Sequence, residues 1–574
     1  MSFLKKNWIL FLIIILGASL RLFGITYNLP LSSPVGDEVR LVSGGLKMLS
    51  QGSFIPDFAH GSYFPLLYYL FIPGLLVYAL FLFIFSDINS LIGIKDSVIL
   101  SLGSWLIVGR LISVILGVLS IYLLYLITQK LFNNKNVSLI AALLFSLSPL
   151  NVALSHFGRV WTPQLFFILL ALYFCLKFFI NSDDKITYKR LLIAVIFILL
   201  SFATNLVGAL SYLLFLLILL IFYFQLQFKY FLKFLISKKS LFFHFSLLAG
   251  IILTLFLSKS SLITYGLAFR RFIMPNSVMV KPWIGTVWDA NLLHRIGLSL
   301  GFLWQFETFV FLLFVPAFWL IYKSSKKNFY FLLSSFLLFF ITLGPPLLHL
   351  TRSRYIFLAF PFLFITVAYL INIYFRKITK KSILLGLLFL FILISPVLFI
   401  DLKYDYLLYK DSTKLTLYNW IKDNLKSDEN ILLVDVYFLQ DLVPNEEVIR
   451  LIKENSSQYY STRLSYLEND LFKRQNLVKY GIYSAGFICE WPLEVFENIK
   501  FDYVVVSGTS NSLNSLNICD NIPMSYFSKK TLVFEKDTAP FYNYSIEGGN
   551  PLESYRPLYY IDKLGTKISI YKVK

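Results

Sequence analysis

Two adjacent carboxylates, Asp37 and Glu38, follow the first long apolar run of the chain. Adjacent carboxylates at a membrane surface can act as a general base, as metal ligands or as a cation-binding pair. Acidic residues are rare around them, because the first 400 residues contain nine Asp and Glu against 32 Lys and Arg. Glu307 lies inside an apolar run, where an ionisable group is expensive to bury and marks a candidate functional site. A structural ion pair or hydrogen bond between helices is the alternative explanation for Glu307.

The composition excludes a soluble protein. Of the 574 residues, 57% are hydrophobic and 15% are charged, whereas soluble domains contain about 25% charged residues. The formal net charge of +20 would suggest nucleic-acid binding, but residues 401–574 contain 20 Lys and Arg against 23 Asp and Glu. The basic excess therefore lies in the apolar part, in short loops between long apolar runs. This pattern is typical of membrane proteins whose cationic loops face the cytoplasm, so we expect no nucleic-acid partner.

Twelve apolar runs could each cross the hydrocarbon core of a membrane, which takes roughly 20 residues. They lie at about 8–27, 66–86, 105–128, 137–156, 163–181, 190–206, 208–227, 242–259, 299–322, 329–350, 355–375 and 382–400. The first run follows Lys5 and Lys6 but is not followed by a small-residue cleavage site, so we expect it to remain as an anchor.

The positions of the basic clusters predict which runs cross. The clusters are Lys5/Lys6, Lys130/Lys135, Lys177/Lys185/Lys189/Arg190, Lys229/Lys233/Lys238/Lys239, Lys323/Lys326/Lys327 and Arg376/Lys377/Lys380/Lys381. All six lie on one side only if 66–86 does not cross, so we predict that 66–86 lies along the outer membrane surface. The result is about eleven crossings, a cytoplasmic N-terminus, an outer C-terminal domain, and outer loops at 28–104 and 260–298.

Residues 401–574 differ in pattern from the first 400. Apolar strand-like runs at 431–434 and 503–506 alternate with amphipathic stretches such as 415–425. We therefore predict a membrane domain of residues 1–400 and an extracytoplasmic α/β domain of residues 401–574. Cys489 and Cys519 could pair in an oxidising compartment, but their spacing leaves this question open.

Short motifs occur through the first 400 residues, and the predicted topology places most of them on the outer side. They are Leu20-Arg21-Leu22-Phe23-Gly24, Asp37-Glu38, Tyr63-Phe64-Pro65-Leu66-Leu67-Tyr68-Tyr69-Leu70, Gly109-Arg110-Leu111-Ile112-Ser113, Gln129-Lys130-Leu131-Phe132, Ser148-Pro149, Ser155-His156-Phe157-Gly158-Arg159, Arg354-Tyr355 and Pro361. In order and placement they resemble membrane glycosyltransferases of the GT-C fold, in the polyprenyl-phosphate-sugar-dependent group of protein O-mannosyltransferases and aminoarabinose transferases. The resemblance implies a polytopic α-helical GT-C fold. It also implies that the segment 66–86 lies at the outer membrane surface.

The resemblance implies transfer of a sugar from a polyprenyl-phosphate carrier to an acceptor hydroxyl on the outer face, with inversion. Such a displacement needs a general base and a cationic site for the leaving phosphate. By motif position Asp37 is the base, and Glu38 would orient the site or hold the loop. Arginine suits bidentate phosphate binding, so we predict Arg354 with Tyr355 as the first phosphate site. Further candidate cations are Arg159, which ranks second, and Arg110.

Weaker candidates for the sugar or acceptor are His60, Tyr63, Lys281 and Glu307. We expect no required cofactor, and a divalent metal held by the outer-side histidines with Glu38 or Asp57 is the alternative. One departure from the family pattern follows Arg159, where many relatives place an acidic residue. Here the run is Val160-Trp161-Thr162-Pro163, which puts the usual supporting role of that residue in doubt.

Three other functions stay open. A lipid-linked sugar flippase or other transporter would carry polar residues and broken helices near the bilayer midplane, whereas these polar candidates crowd the outer boundary. A surface-polysaccharide polymerase or ligase usually places its main polar loop late in the helical set. A non-catalytic scaffold predicts that replacing Asp37 changes nothing. The expected location is the inner or plasma membrane, the donor is a polyprenyl-phosphate sugar, and the acceptor could be protein, lipid or polysaccharide.

Overall fold

The architecture comes from a computed structural model. It describes residues 2–31, 38–53, 55, 65–180, 186–257, 292–343, 353–434, 442–459, 461–484, 488, 491–507, 530–536, 558, 561, 564–565 and 568–573. Cys489 and Cys519 lie outside the described residues, whereas Cys175 is a buried free thiol in a helix.

The first 409 residues are helical wherever they form regular structure within the described ranges. The α-helices are α1 Ser2–Leu22, α2 Glu38–Gln51, α3 Pro65–Phe85, α4 Leu91–Leu100, α5 Leu102–Phe132, α6 Lys135–Ser146, α7 Pro149–Ser155, α8 Trp161–Phe179, α9 Tyr188–Phe202, α10 Leu210–Ile218, α11 Phe228–Leu235, α12 Lys238–Phe256, α13 Leu292–Leu312, α14 Phe314–Ser324, α15 Lys326–Leu343, α16 Ser353–Ile356, α17 Phe360–Thr379 and α18 Ile383–Tyr409. Short 3-10 turns Leu206–Ala209 and Phe357–Ala359 and a π-helical turn Leu219–Tyr223 extend α10 and α17.

The chain is a multi-pass helical membrane protein, as the sequence predicts. Each of the eleven predicted crossings coincides with a helix, a bent pair of helices or joined helical turns. Among the described residues, seven helical segments are long and apolar enough to cross, or nine if each bent pair is one span. Large apolar side chains are exposed along these helices, which suits contact with lipid because a soluble monomer rarely exposes such large apolar patches. The number of about eleven crossings stays a prediction.

Helix α5 is the centre of the membrane domain and packs against α1, α2, α3, α6 and α8. Its residues Gly109, Ser113 and Gly117 are spaced four apart, so they share one face. Small residues on a membrane helix allow neighbouring backbones to approach closely. A Cβ atom at Gly117 would lie 2.7 Å from the Ser155 hydroxyl oxygen. This face therefore receives the polar turn between α7 and α8.

Helix α3 covers the segment that we predict to lie along the outer surface. It is one of the seven helices that could cross by length and composition, so the surface placement stays a prediction. It contacts the N-terminal end of α5, because Tyr78 packs edge-on against Trp105 at 5.0 Å between ring centroids. A Cβ atom at Gly74 would lie 2.7 Å from Val108 and 3.3 Å from Ile112. These partners all belong to the first turns of α5.

The C-terminal part contains a five-stranded sheet with helices around it. Its strands are β1 Asn430–Val434, β2 Gly481–Ser484, β3 Tyr503–Ser507, β4 Lys530–Lys536 and β5 Ile568–Val573, in the order β2-β1-β3-β5-β4. The first three are parallel, and β5 runs antiparallel between β3 and β4. The remaining helices are α19 Thr413–Asn424, α20 Glu446–Asn455, α21 Thr462–Tyr466, α22 Phe472–Arg474 and α23 Leu493–Glu497, with a 3-10 turn Ser457–Tyr459 and a π-helical turn Leu467–Leu471.

Both faces of this sheet are covered, as expected for parallel strands. Alternate residues of β1 point to opposite faces because the strand period is two. Leu432 packs with α20 and its neighbours, whereas Ile431 packs with α19 on the other face. Leu31, from the loop after α1, is fully buried in this second cluster. The segment after α1 therefore contributes to the core of the C-terminal domain.

The domain boundary that the sequence predicts at residue 400 falls inside a helix. Helix α18 continues without a break from the apolar run to Tyr409, and Ser412 then caps α19 by accepting a hydrogen bond from the Leu415 amide. The polar residues of the last turns of α18 therefore belong to the membrane-domain helix and not to the α/β domain. We call α18 the stalk helix because it leads into the C-terminal domain.

Asp96 of α4 is a docking point for the C-terminal domain. It is 5% exposed, and it accepts hydrogen bonds from the Tyr466 hydroxyl at 2.8 Å and from the Gln475 amide at 3.0 Å. Arg474 donates to both Asp96 oxygens, at 3.0 and 3.1 Å. Burial, the hydrogen bond to Asp96 and its charge raise the pKa of Tyr466, which keeps this hydroxyl protonated as a donor.

We expect Asp96→Ala to loosen this docking. Loss of charge-assisted hydrogen bonds costs about 1.5–3 kcal/mol, which corresponds to about a tenfold or larger rise in the undocked fraction. The measurement is the rate of limited trypsin cleavage within residues 462–474 in native membranes. Asp87→Ala, at an exposed carboxylate between α3 and α4, is the matched control. Equal cleavage rates in the two variants would show that Asp96 does not hold the domain.

Candidate functional site

The side chains of Glu38 and Arg110 form a buried ion pair. Arg110 Nε lies 2.8 Å from Glu38 Oε1 and Nη2 lies 2.9 Å from Oε2, and neither side chain is exposed. Arg110 Nη1 also donates to the carbonyl oxygens of Ile25 and Tyr27, at 2.7 and 2.8 Å. The Gly158 amide donates to Glu38 Oε1 at 2.8 Å. The pair joins the loop after α1, the start of α2, α5 and the turn before α8.

This pair explains where two of the predicted site residues lie. A buried carboxylate is tolerated only when it is paired and its oxygens are hydrogen-bonded, and Glu38 accepts three hydrogen bonds. Arg110 makes four hydrogen bonds within the protein. These contacts favour a positioning role for Arg110. They do not favour binding of the carrier phosphate by Arg110, which stays a prediction.

The turn that carries Gly158 crosses α5 backbone to backbone. A Cβ atom at Gly158 would lie 2.9 Å from the Cα and carbonyl carbon of Gly109. Real Cβ atoms essentially never approach this closely, so glycine is required here for proximity and not for backbone conformation. The crossing brings the Gly158 amide to Glu38.

We expect Gly158→Ala to destabilise the membrane domain. The added methyl group would push against backbone atoms, and such overpacking typically costs about 1–3 kcal/mol. The measurement is the midpoint of thermal unfolding of the purified full-length chain in detergent. Gly301→Ala is the matched control, because a Cβ atom at Gly301 would meet nothing within 4 Å. A midpoint for Gly158→Ala equal to that of the control would contradict the close crossing.

The two arginines that rank first and second as phosphate ligands lie on elements that meet. Arg159 is 2% exposed and lies two residues before Trp161, at the start of α8. Arg354, which is half-buried in α16, places its guanidinium carbon 5.7 Å from the centre of the Trp161 ring. Trp161 also packs edge-on against Phe357. The structure therefore brings the Arg354 helix to the start of α8, directly after Arg159.

Glu307 lies in a distorted part of α13. Its side chain is 1% exposed, and its Oε1 accepts a hydrogen bond from the Ser148 hydroxyl at 2.7 Å. The next residue, Thr308, leaves helical geometry with φ 42° and ψ −115°. A β-branched residue with positive φ is strained, and such strain often occurs at functional sites. The hydrogen bond to Ser148 agrees with the interhelical explanation and does not test a role in binding.

A second buried polar cluster lies where α1 meets the stalk helix. Arg21 is not exposed, and it donates to the carbonyl oxygens of Gly17 at 2.8 Å and Ser146 at 3.0 Å. Asp401 and Asp405 are buried, and their charges act on Arg21. They lie four residues apart, so they share one face of the stalk helix.

His156 extends this cluster to the turn before α8. Its Nε2 lies 2.8 Å from the Phe23 carbonyl oxygen and 3.4 Å from Asp405 Oδ1, and its Nδ1 lies 2.9 Å from the Val152 carbonyl oxygen. His156 therefore connects the end of α1, α7 and the stalk helix. It lies two residues before Gly158, whose amide binds Glu38.

Sequence reasoning gave no role to Arg21, Asp401 and Asp405. The two aspartates lie directly after the last apolar run, at the start of residues 401–574, which contain 23 Asp and Glu. Their four-residue spacing directly after an apolar run was a usable signal. Arg21 was part of a family motif, but nothing in the sequence indicated its acidic neighbours.

Four predicted site residues, Asp37, His60, Tyr63 and Lys281, lie outside the described residues. The backbone of Tyr355 lies in α16, while its side chain lies outside the described part. Within the described ranges no three His, Cys, Asp or Glu side chains form a group that could hold a metal ion.

Comparison with known proteins gives a family match in the first half of the chain. The model of the dolichyl-phosphate-mannose-protein mannosyltransferase family matches residues 97–245, which include Arg110, Gly158 and Arg159. The match confirms the resemblance predicted from the sequence. A comparison with curated protein sequences gave no significant match.

Comparison with solved structures finds an oligosaccharyltransferase and ArnT. The apo oligosaccharyltransferase of Archaeoglobus fulgidus has a TM-score of 0.48 and 14% identity, covering 88% of this chain and 70% of that one. AglB from the same organism, in complex with an inhibitory peptide and a dolichol-phosphate, has a TM-score of 0.46 and 13% identity, covering 88% of this chain and 70% of that one. ArnT from Cupriavidus metallidurans, bound to undecaprenyl phosphate, has a TM-score of 0.44 and 11% identity, covering 87% of this chain and 93% of that one.

Proposed function

We propose that the chain is a GT-C glycosyltransferase that moves a sugar from a polyprenyl-phosphate carrier to an acceptor hydroxyl on the outer face of the membrane. The observation that carries the proposal is the buried pair of Glu38 and Arg110. This pair holds the residue next to Asp37 against the turn that leads to Arg159. The matched family is described by a dolichyl-phosphate-mannose donor, which supports a lipid-phosphate sugar as the donor class.

In the proposed reaction the acceptor oxygen attacks the anomeric carbon of the sugar. The bond between that carbon and the phosphate oxygen breaks, so the electron pair leaves with the polyprenyl phosphate. Asp37 takes the acceptor proton as the new glycosidic bond forms, and attack opposite to the leaving group inverts the anomeric centre. A general base of this kind contributes about 10²–10⁴-fold to a rate. No cofactor takes part in these steps.

The cationic residues divide into two roles in this proposal. Arg354 and Arg159 bind the leaving phosphate, because guanidinium groups match phosphate oxygens in charge and geometry and their elements meet at Trp161. Glu38 and Arg110 are positioning residues that hold Asp37 through the start of α2. The N-terminus is cytoplasmic and the C-terminal domain extracytoplasmic, because the basic clusters then all face the cytoplasm.

Transfer of radiolabelled sugar tests the proposed function. Membranes that contain the full-length chain are incubated with undecaprenyl-phosphate-linked mannose, glucose or aminoarabinose, and label is counted in the protein, lipid and polysaccharide fractions. We expect label from one of these donors to enter one fraction at a rate above that of membranes without the chain. The proposal fails if purified chain neither binds undecaprenyl phosphate nor transfers label from any of the three donors.

A further inference from the structure

Gln164 is a fully buried amide without a hydrogen-bond partner. It lies in the first turn of α8 with 0% exposure, and neither its Nε2 nor its Oε1 is hydrogen-bonded. A glutamine side chain offers two donors and an acceptor oxygen. Leaving these groups buried and unpaired costs free energy that a folded protein normally avoids. An unpaired amide at this depth therefore points to a ligand that the protein binds.

The position of Gln164 relates it to the cationic residues. It lies three residues after Trp161, so the two side chains share a face of α8 with Cβ atoms about 5–6 Å apart. The Trp161 ring centre lies 5.7 Å from the Arg354 guanidinium carbon. Gln164 thus lies one turn further along α8 than the point where Arg354 meets this helix.

Three other unpaired polar groups lie on helices that contact the helix of Arg354. Helix α16, which carries Arg354, packs against α7 and α13. On α7, Asn151 Nδ2 is buried without a hydrogen-bond partner. On α13, Gln305 Oε1 and Thr308 Oγ1 are also buried without one. Thr308 is also the residue with strained backbone geometry. Unpaired neutral donors and acceptors are therefore present on two helices that α16 contacts.

We propose that Gln164 binds hydroxyl groups of the sugar that the polyprenyl phosphate carries. This assignment rests on the proposed function and deepens it. Guanidinium groups attract the anionic phosphate, whereas a neutral amide with both donors and an acceptor matches hydroxyl groups, which also donate and accept. The polyprenyl chain offers neither hydrogen-bond donors nor acceptors. Gln164 is therefore a binding residue for the neutral polyol part of the donor.

Replacement of Gln164 by leucine tests the assignment in two directions. Leucine has a similar size and removes the unpaired polar group, so the thermal unfolding midpoint of the purified full-length chain should rise. We expect the affinity for undecaprenyl phosphate to be unchanged. The affinity for the sugar-bearing undecaprenyl phosphate that the wild type binds tightest, among mannose, glucose and aminoarabinose, should fall about tenfold.

The matched control is Gln129→Leu, at a glutamine that is hydrogen-bonded. Gln129 Oε1 accepts from the Ser138 hydroxyl at 3.0 Å, so this variant should unfold at a lower temperature and keep its affinity for both carriers. A lower midpoint for Gln164→Leu, or equal affinity of Gln164→Leu and wild type for the sugar-bearing carrier, would overturn the assignment alone. A wild-type chain that binds neither carrier would overturn the proposed function and this assignment together.

Discussion

Replacing Arg110 with methionine is expected to reduce sugar transfer by at least about 10²-fold, since a misplacement of about 1 Å at a reacting group can cost this much. The variant leaves the Glu38 carboxylate buried without its partner, and breaking a buried pair in this way costs about 3–5 kcal/mol. It also removes the donors to the Ile25 and Tyr27 carbonyl oxygens. We therefore expect a lower unfolding midpoint together with lost transfer.

A double variant separates the free energy of the interaction between Glu38 and Arg110 from the contribution of each residue alone. Adding Glu38→Gln to Arg110→Met removes the unpaired charge and keeps an acceptor for the Gly158 amide. The double variant should therefore recover most of the stability that Arg110→Met loses, a coupling measured by a double-mutant cycle on unfolding free energies. Additive losses in the cycle would contradict the pairing of these two residues. Transfer should stay low in the double variant, because Arg110 no longer holds the loop after α1.

Replacing Asp37 with asparagine is expected to reduce the initial rate of transfer by about 10²–10⁴-fold, because asparagine cannot take the acceptor proton. Carrier binding and the unfolding midpoint should be unchanged, since the phosphate ligands and the Glu38 pair remain. The measurement compares initial rates at matched expression, with Asp87→Asn, at an exposed carboxylate between α3 and α4, as the control. Equal rates for Asp37→Asn and the control would remove Asp37 from the role of base.

The sequence predicts the general architecture well because the signals are strong and local. Long apolar runs and basic clusters identify the membrane helices, and the short apolar runs at 431–434 and 503–506 become two neighbouring strands. The helix at 415–425 is also present. Hydropathy does not tell where a helix stops when polar residues lie on its buried face. For this reason the stalk helix extends past residue 400 with Asp401 and Asp405 in its buried cluster.

The contacts of the site are harder to predict because they join residues that are far apart in sequence. Glu38 and Arg110 are 72 positions apart, and the sequence predicts separate roles for them. Their pairing depends on the close crossing of Gly109 and Gly158, which only the packing of α5 reveals. Gln164 had no signal at all, since a single amide in an apolar run looks the same whether it is paired or not.

The most direct test of the central claim reconstitutes the purified chain in proteoliposomes with a sugar-bearing undecaprenyl phosphate and an acceptor-containing membrane extract. Cleavage of the donor and movement of the intact donor across the bilayer are measured in the same sample. We expect undecaprenyl phosphate to appear in a one-to-one ratio with glycosylated acceptor, at a rate that depends on Asp37. Movement of the intact donor across the bilayer without cleavage would contradict the transferase and favour a transporter.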